Sequence, residues 1–565
     1  MSTSVDDVES AYDASRSYAF LTLSILISGD EINALANAGP RGAGAAPGLV
    51  WRREHLASLK GRYAESRDLQ RAIDPMFEDI ADRDRNLFIK DFLLDTPDGG
   101  TGAGLGGAAP RGRNVCASVA LELAAAVRWT TEGKTSTVDL GGPIVFRDVL
   151  CRAFWMVHSN DALSYHLSFE VPFERDLRSC YGLSMLLKAV HPNEGTAWAL
   201  QEEGWMVRDE VGRPVPLLAF VESLFERHAH HLFAALMQHG AGGDAARVEA
   251  MSRTAWDRLV MRDPDRTAED GVDTRDWAAG ARRRRLLVVL RDPDLFRLID
   301  RVRLDPDLLH GLEPLRTDAH GSYSAQSVRR HFEAQAALVA ATKPGMEALS
   351  AEQLEVIVFL SGFFQNIVDF LEQDDLEVHD GITPLYPESA AERGNNGYLL
   401  YATPRFVFEV VATSRSLDGV GRRWLGTCPY VFLVHVMALH NEGIVRTYEK
   451  NVSELIRDLE LMGIRSDAVE AAEGEALPLG SAFARIKRFR LQTFEQVHKH
   501  LSFNIFRYET ERTFFRLIEE VRGSSTRHQY WDGVLKELTE AVDSLKDHRQ
   551  THYGLRLGWL GFILA

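Results

Sequence analysis

The sequence predicts an α+β protein, a mixed α/β N-terminal region followed by a C-terminal bundle of three long antiparallel helices. Three observations carry this expectation. Before residue 428, apolar runs with β-branched members alternate with helical stretches, without a regular βαβ repeat. From Val431 onward, apolar residues recur at three-four spacing over lengths too great for a short globular helix. The chain has 565 residues, 45% apolar and 26% charged, enough to build two to four folded domains.

Residues 18–28 (AFLTLSILISG) are apolar and β-branched and end at Gly29 and Asp30, the pattern of a buried strand and too short for a membrane span. Residues 54–92 are helical in composition. The stretch 97–112 is rich in Gly, Pro and Ala and reads as a flexible loop; its glycines lack the strand and helix that a phosphate-cradling loop requires. Between 114 and 240 the pattern is a helix (CASVALELAAAVRW), two strands (GPIVFRDVLCRAF and ALSYHLSFEVPF) and a helix over 217–239. Residues 240–281 are charged and low in β-branched residues, as a boundary or long surface excursion would be. Arg282 to Arg285 then lead into LLVVL, a strand with a solvated basic entry. Helices are expected at 324–341 and 350–374, and a strand in YLLYATPRFVFEVVAT. The resulting domains are 1–240, mixed α/β; 241–285, linker or excursion; 286–428, a second mixed and largely helical region; and 429–565, a long-helix hairpin and stalk.

In the last region, Val431, Val434, Ala438, Asn441, Val445, Tyr448, Val452, Leu455, Leu459 and Met462 keep one seam, and Gly463 ends it. A second seam runs from Phe494 through Asn504 to Ile518. A third runs from Trp531 through His548 and His552 to Phe562. The short connection 523–526 (GSST) predicts that the last two helices are antiparallel. Residues 429–480 carry a net charge of −5 and residues 481–522 one of +4, which favours their pairing, each exposed ion pair adding about 0.5 kcal/mol.

The tail YGLRLGWLGFILA turns apolar and admits two readings. It caps a soluble helical core, or it is the start of a membrane helix with Trp559 at the interface. In the second, preferred reading the antiparallel chain returns Arg485, Lys487, Arg488 and Arg490 to the same end, facing the cytoplasmic leaflet.

Charge and cysteine content exclude other classes. A net charge of −17 opposes nucleic-acid binding, and no such partner is expected. Cys116, Cys151, Cys180 and Cys428 are too widely spaced for a zinc ribbon or a disulfide scaffold and read as reduced thiols. The polar, acidic N-terminus is unlike a secretory signal. Walker, HExxH, Gly-x-Ser-x-Gly and kinase signatures do not occur, so no catalytic residue and no cofactor-binding residue is assigned.

Histidines 228, 230, 231 and 239 lack zinc-site spacing and read as surface or packing residues; His435, His440 and Glu442 read as an ordinary helix surface. The acidic group Asp369, Glu372, Asp374, Asp375 and Glu377, with Asp380 beyond it, fits a solvated face. Its oxygens are also the ligands that a hard cation such as Mg²⁺ or Ca²⁺ prefers, and these five are the candidate metal residues.

Residues 431–461 (VFLVHVMALHNEGIVRTYEKNVSELIRDLEL) and 530–565 (YWDGVLKELTEAVDSLKDHRQTHYGLRLGWLGFILA) resemble, respectively, the first helix after the sensor domain and the stalk helix of CorA-type divalent-cation transporters. The likeness covers the C-terminal quarter, and no Gly-Met-Asn tripeptide, the family's motif, occurs in the chain. It implies a homopentamer at the cytoplasmic face of the inner membrane, with stalk helices around a central path and carboxylates between subunits sensing Mg²⁺. The function expected on this basis is that of a sensor and stalk, in which ligand or cation binding shifts helix packing. His548 and His552 in the seam add a response to pH. The alternatives are a soluble interaction or signalling module built on an antiparallel helical bundle, and an enzyme of unrecognised type in residues 1–428.

Overall fold

The structure is a computed structural model of the whole chain. It describes residues 17–28, 31, 35, 93–94, 115–131, 134–139, 142–158, 162–174, 177–190, 204–208, 212–237, 245–261, 284–291, 322–323, 398–402, 405–411, 429–461, 481–482, 484–491, 506 and 509–564. The expected helices at 54–92, 324–341 and 350–374 and the loop at 97–112 lie outside the described residues. Two compact units are distinguished, Met1–Val436 with Phe506–Ile518, and Met437–Ile505 with Glu519–Ala565.

The first unit is built on a sheet. Its strands are β1 (Ser17–Ser28), β2 (Leu93–Leu94), β3 (Val115–Leu123), β6 (Ile144–His158), β7 (Ala162–Phe173), β8 (Trp205–Arg208), β9 (Pro214–Pro216), β10 (Arg284–Arg291), β12 (Tyr398–Ala402) and β13 (Phe406–Val411). Their order is β12-β13-β10-β1-β7-β6-β3-β8-β9, with β2 also on β6. Neighbours are antiparallel except β10 and β13, so the sheet is mixed. Strands β4 (Ala126–Thr131), β5 (Lys134–Asp139) and β11 (Ser322–Tyr323) form a separate small sheet.

The apolar run 18–28 is a buried strand, as its composition predicts, and its residues Ala19, Leu21, Leu23 and Ile25 are shielded by partners on both sides. The segment around 114–127 is not the helix that its alanines favour. It forms β3 and β4, because Val119, Leu121 and Leu123 alternate into the core, β6 pairs β3 along its length, β8 pairs Ala120–Leu123, and β5 pairs β4. Alanine's helix preference is a few tenths of a kcal/mol per residue, which tertiary pairing readily exceeds. The ladder of β3 with β6 shifts between Val119 and Leu121, and Asp148 opposite takes φ 57°, a left-handed conformation that aspartate tolerates at a bulge.

Helices α1 (Leu177–Val190) and α2 (Leu217–Met237) follow β7 and β9. Gly182 lets α1 close on β6: a Cβ there would stand 2.7 Å from Ile144 Cγ2 and 3.1 Å from Phe146 Cζ. Leu21, Leu23, Leu167, Phe169 and Leu286 from the sheet meet Val190 of α1 and Val221 of α2 around a small, wholly apolar pocket. Inside the expected excursion 241–285, α3 (Ala245–Ala255) and a π-helical turn (Trp256–Met261) bury Val248, Met251, Trp256 and Leu259. The Trp256 ring lies 5.5 Å from that of Phe225 on α2. The strand after the arginine run is β10, and the described part of its basic entry is not solvated. Arg284 and Arg285 are both buried, since β1 flanks them in register with Ile25 and Ser24.

The second unit is helical. Helix α4 (Pro429–Leu461) begins in the first unit and extends the predicted seam through Val445, Tyr448, Val452, Leu455 and Leu459, all buried. At 33 residues it is about 50 Å long. Residues 484–491 are helical, α5 (Glu509–Arg522) follows, and α6 (Ser524–Leu564) runs unbroken for 41 residues, about 60 Å. The stretch 492–505 of the second seam, including Asn504, lies outside the described residues.

The GSST connection does not reverse the chain. Only Gly523 is non-helical, with φ 66°, and α6 starts at Ser524. An antiparallel helix pair needs a loop of about two to five residues, and one left-handed glycine only redirects the path. The contacts along α4 give the direction. Asn441 and Glu442 act on Glu519, and Tyr448, two turns on, meets His528 and Asp532. Helix α6 therefore runs the same way as α4. Segment 484–491 runs the opposite way, with Arg485 on Asp458 and Arg490 acting on Tyr448.

Candidate functional site

Two buried polar groups stand out, one in each unit. The first lies on the sheet face opposite the apolar pocket, where Thr22 and Ser24 alternate with the pocket residues of β1. His166 of β7 is in register with Ser24, and its Nδ1 lies 2.8 Å from Ser24 Oγ. Ser164, two residues earlier on the same face, brings its Oγ to 2.7 Å from Nε2. His435, on the first turns of α4, places Nε2 3.2 Å from the same Ser24 oxygen, and Phe432 sets its ring edge against His166 at 5.4 Å. All four polar residues are buried, and burial lowers the His166 imidazole to about 3, so it is neutral at physiological pH. A neutral imidazole has one donor and one acceptor nitrogen, so one serine donates to it and the other accepts. A serine hydrogen-bonded to histidine is the first half of a nucleophile, but nucleophilic attack needs access to substrate. Here Ser24 and Ser164 have none, and the chain Ser164, His166, Ser24, His435 fastens the start of α4 to the sheet.

The second group is a charge cluster in the helical unit. Glu442 and Asn441 come from α4, Glu519 and Arg522 from the last turn of α5, and all four are buried. Arg446 Nη2 donates to Glu442 Oε1 at 2.7 Å, one helical turn along α4, and its own side chain remains partly exposed. Burial pushes the Glu519 carboxyl up to about 8, and the Glu442 carboxylate pushes the same way, while the Asn441 amide and the Arg522 guanidinium draw it down. Neither Glu519 oxygen meets a donor in full hydrogen-bond geometry among the described residues. Burial draws the Arg522 guanidinium below its ordinary value, with Glu442 and Glu519 opposing.

Beside this cluster the helices close over an apolar seam of Ile444, Val445, Tyr448, Val452, Leu455, Leu459, Ala482, Ile486, Leu535 and Val542. Tyr448 donates its hydroxyl to Asp532 Oδ1 at 3.4 Å, and burial together with Asp532 pushes its phenol up to about 12.

Among the residues singled out by sequence, Asn441 is in the seam and belongs to the charge cluster. His435, His440 and Glu442 do not form an ordinary helix surface. All three are buried, the first against the sheet. His228 is a packing residue, its Nδ1 3.0 Å from the Tyr165 hydroxyl. Arg485, Lys487, Arg488 and Arg490 are on segment 484–491, exposed, beside the C-terminal half of α4. Trp559 lies 17 residues beyond Val542 of the apolar seam on α6, about 25 Å of helix. Trp559 is 68% exposed, with Leu555 at 61% and Phe562 at 82%. No described helix is long and apolar enough to cross a membrane. His548 and His552 lie on α6, and their side chains are outside the described set. Asp369, Glu372, Asp374, Asp375 and Glu377 also fall outside it, and among the described residues no cluster of three or more metal-ligating side chains occurs.

Sequence reasoning missed Ser24, Ser164 and His166, and also Glu519 and Arg522. A histidine inside ALSYHLSFEVPF, where its neighbours are apolar, was the available signal for the first group. For the second it was the pair of ionisable residues three apart at the seam end of α5.

Comparison with family models, with curated proteins and with solved structures gives no match to this chain.

Proposed function

We propose that the chain is the cytoplasmic sensor and stalk portion of a CorA-like membrane protein. In this reading it assembles with copies of itself, as a pentamer if it follows that family, and meets the bilayer at its C-terminal end. Binding of a ligand, or of Mg²⁺, to the N-terminal region shifts the packing of α4 and α6, and that shift is the output. The reading is supported by the path of the helical unit: α4, an antiparallel segment beside it, then a 41-residue helix running with α4.

The observation that carries the membrane contact is the far end of α6. Leu555, Trp559 and Phe562 follow one helical stripe at four-three spacing and are all exposed. Large apolar side chains grouped on one face mark a surface that another apolar phase covers. The test is co-sedimentation of the full chain with vesicles of phosphatidylcholine and phosphatidylglycerol, with Trp559→Ser/Phe562→Ser as the comparison. The expected result is binding that falls at least about tenfold in the double variant, since each buried aromatic contributes about 2 kcal/mol. Equal binding by both chains overturns the membrane contact. A second reading, a soluble interaction module, is favoured by the same four-three spacing, which is that of a helix-helix seam. It predicts that the double substitution abolishes self-association without lipid.

A further inference from the structure

The charge cluster of the helical unit has a property that the stalk reading does not require. Glu519 is 4% exposed, and Glu442, from the facing helix, is 5% exposed. The Glu442 carboxylate already receives Arg446. Among the described residues, the charged groups acting on Glu519 are Glu442 of α4 and Arg522 of its own helix, with Arg446 acting in turn on Arg522. Asn441 contributes a neutral amide. An ionised carboxylate at this place loses its water, faces a second carboxylate and gains no hydrogen bond of full geometry, whereas the neutral acid avoids the first two costs.

We propose that Glu519 is a proton-binding site of the helical unit, occupied when α4 and the end of α5 are packed together, and that loss of this proton loosens their packing. The sign is fixed by linkage. The folded-state carboxyl is raised from its usual 4.5 to about 8. The packed state therefore holds the proton more tightly than the open one, and its stability is greatest below pH 4.5 and declines as pH rises through 8.

The experiment is hydrogen exchange of the full chain, read by mass spectrometry in peptides covering Asn441–Tyr448 and Glu519–Asp532 and corrected for intrinsic exchange at each pH. In the unsubstituted chain, protection is expected to fall at least about tenfold from pH 6 to pH 9. Glu519→Gln, which mimics the neutral acid, is expected to hold its protection constant over that range. Protection independent of pH in the unsubstituted chain, or an equal fall in Glu519→Gln, overturns the proposal. Should Glu519→Gln not fold, Glu442→Gln carries the test. Removing the facing charge is expected to move the midpoint of the loss to lower pH by about one unit, and an unmoved midpoint overturns the proposal.

Discussion

His166 illustrates what a single buried polar residue does when both of its ring nitrogens are hydrogen-bonded. It is held on both ring nitrogens, by Ser24 and Ser164, and Ser24 in turn reaches His435. Replacing it leaves two buried hydroxyls without that partner and a cavity where the ring was. His166→Ala is expected to destabilise the first unit by about 3 kcal/mol, measured as a shift of the thermal midpoint in far-ultraviolet circular dichroism. The same residue sets an acid limit. Its imidazole is lowered from 6.5 to about 3, so the unfolded chain takes up a proton that the folded chain refuses, and stability falls as pH drops from 6.5 towards 3. Arg284 and Arg285 carry a different lesson. Consecutive arginines read as a solvated entry to a strand, but Arg284 and Arg285 are already paired with Ile25 and Ser24 of β1 and are buried, while the β13 ladder begins only at Leu286.

Among the elements, the helices of the second unit depend on one position where chain direction is decided. Gly523 has φ 66°, its N–H donates to the Glu520 carbonyl at 3.0 Å, and its own carbonyl accepts from Arg527 at 2.9 Å. One α5 carbonyl and the first intrahelical bond of α6 are thus made through a single residue, with no loop to spare. A side chain in this left-handed conformation costs about 1 kcal/mol, and Gly523→Ala is expected to lower the thermal midpoint of the helical transition accordingly. The seam itself was legible, because the three-four spacing from Val445 through Tyr448, Val452 and Leu455 to Leu459 maps directly onto a buried stripe, whereas α4 from Val431 to Val445 is buried on every face. The direction of α6 was not. A four-residue polar stretch has the composition of a hairpin loop, and only backbone geometry distinguishes a loop from a helix that resumes after one glycine. The stretch 114–127 failed for a related reason: alanine, leucine and valine suit either a helix or a buried strand, and the partners β6 and β8 decided it.

Over the whole molecule, the two units are expected to respond to pH in opposite senses. His166 weakens the first as pH falls below 6.5, and Glu519 weakens the second as pH rises through 8. Limited proteolysis of the full chain is the measurement. Cleavage in the sheet unit is expected to lead at pH 4, and cleavage in the helical unit at pH 9. The same order of cleavage at both pH values counts against these two residues as the dominant titrating groups. On its own, the sequence determined the α+β class and part of the elements: the central strand, the β6 and β7 pair, the second helix, and the apolar seam of α4. Those follow from periodicity, which is a local property of the chain. Tertiary structure alone decided the order of the strands, the course of α6 alongside α4, and the two buried polar groups. Each of these joins residues far apart in sequence, Ser24 with His166 and His435, or Glu442 with Glu519, and no local pattern records which distant partner a polar side chain will meet.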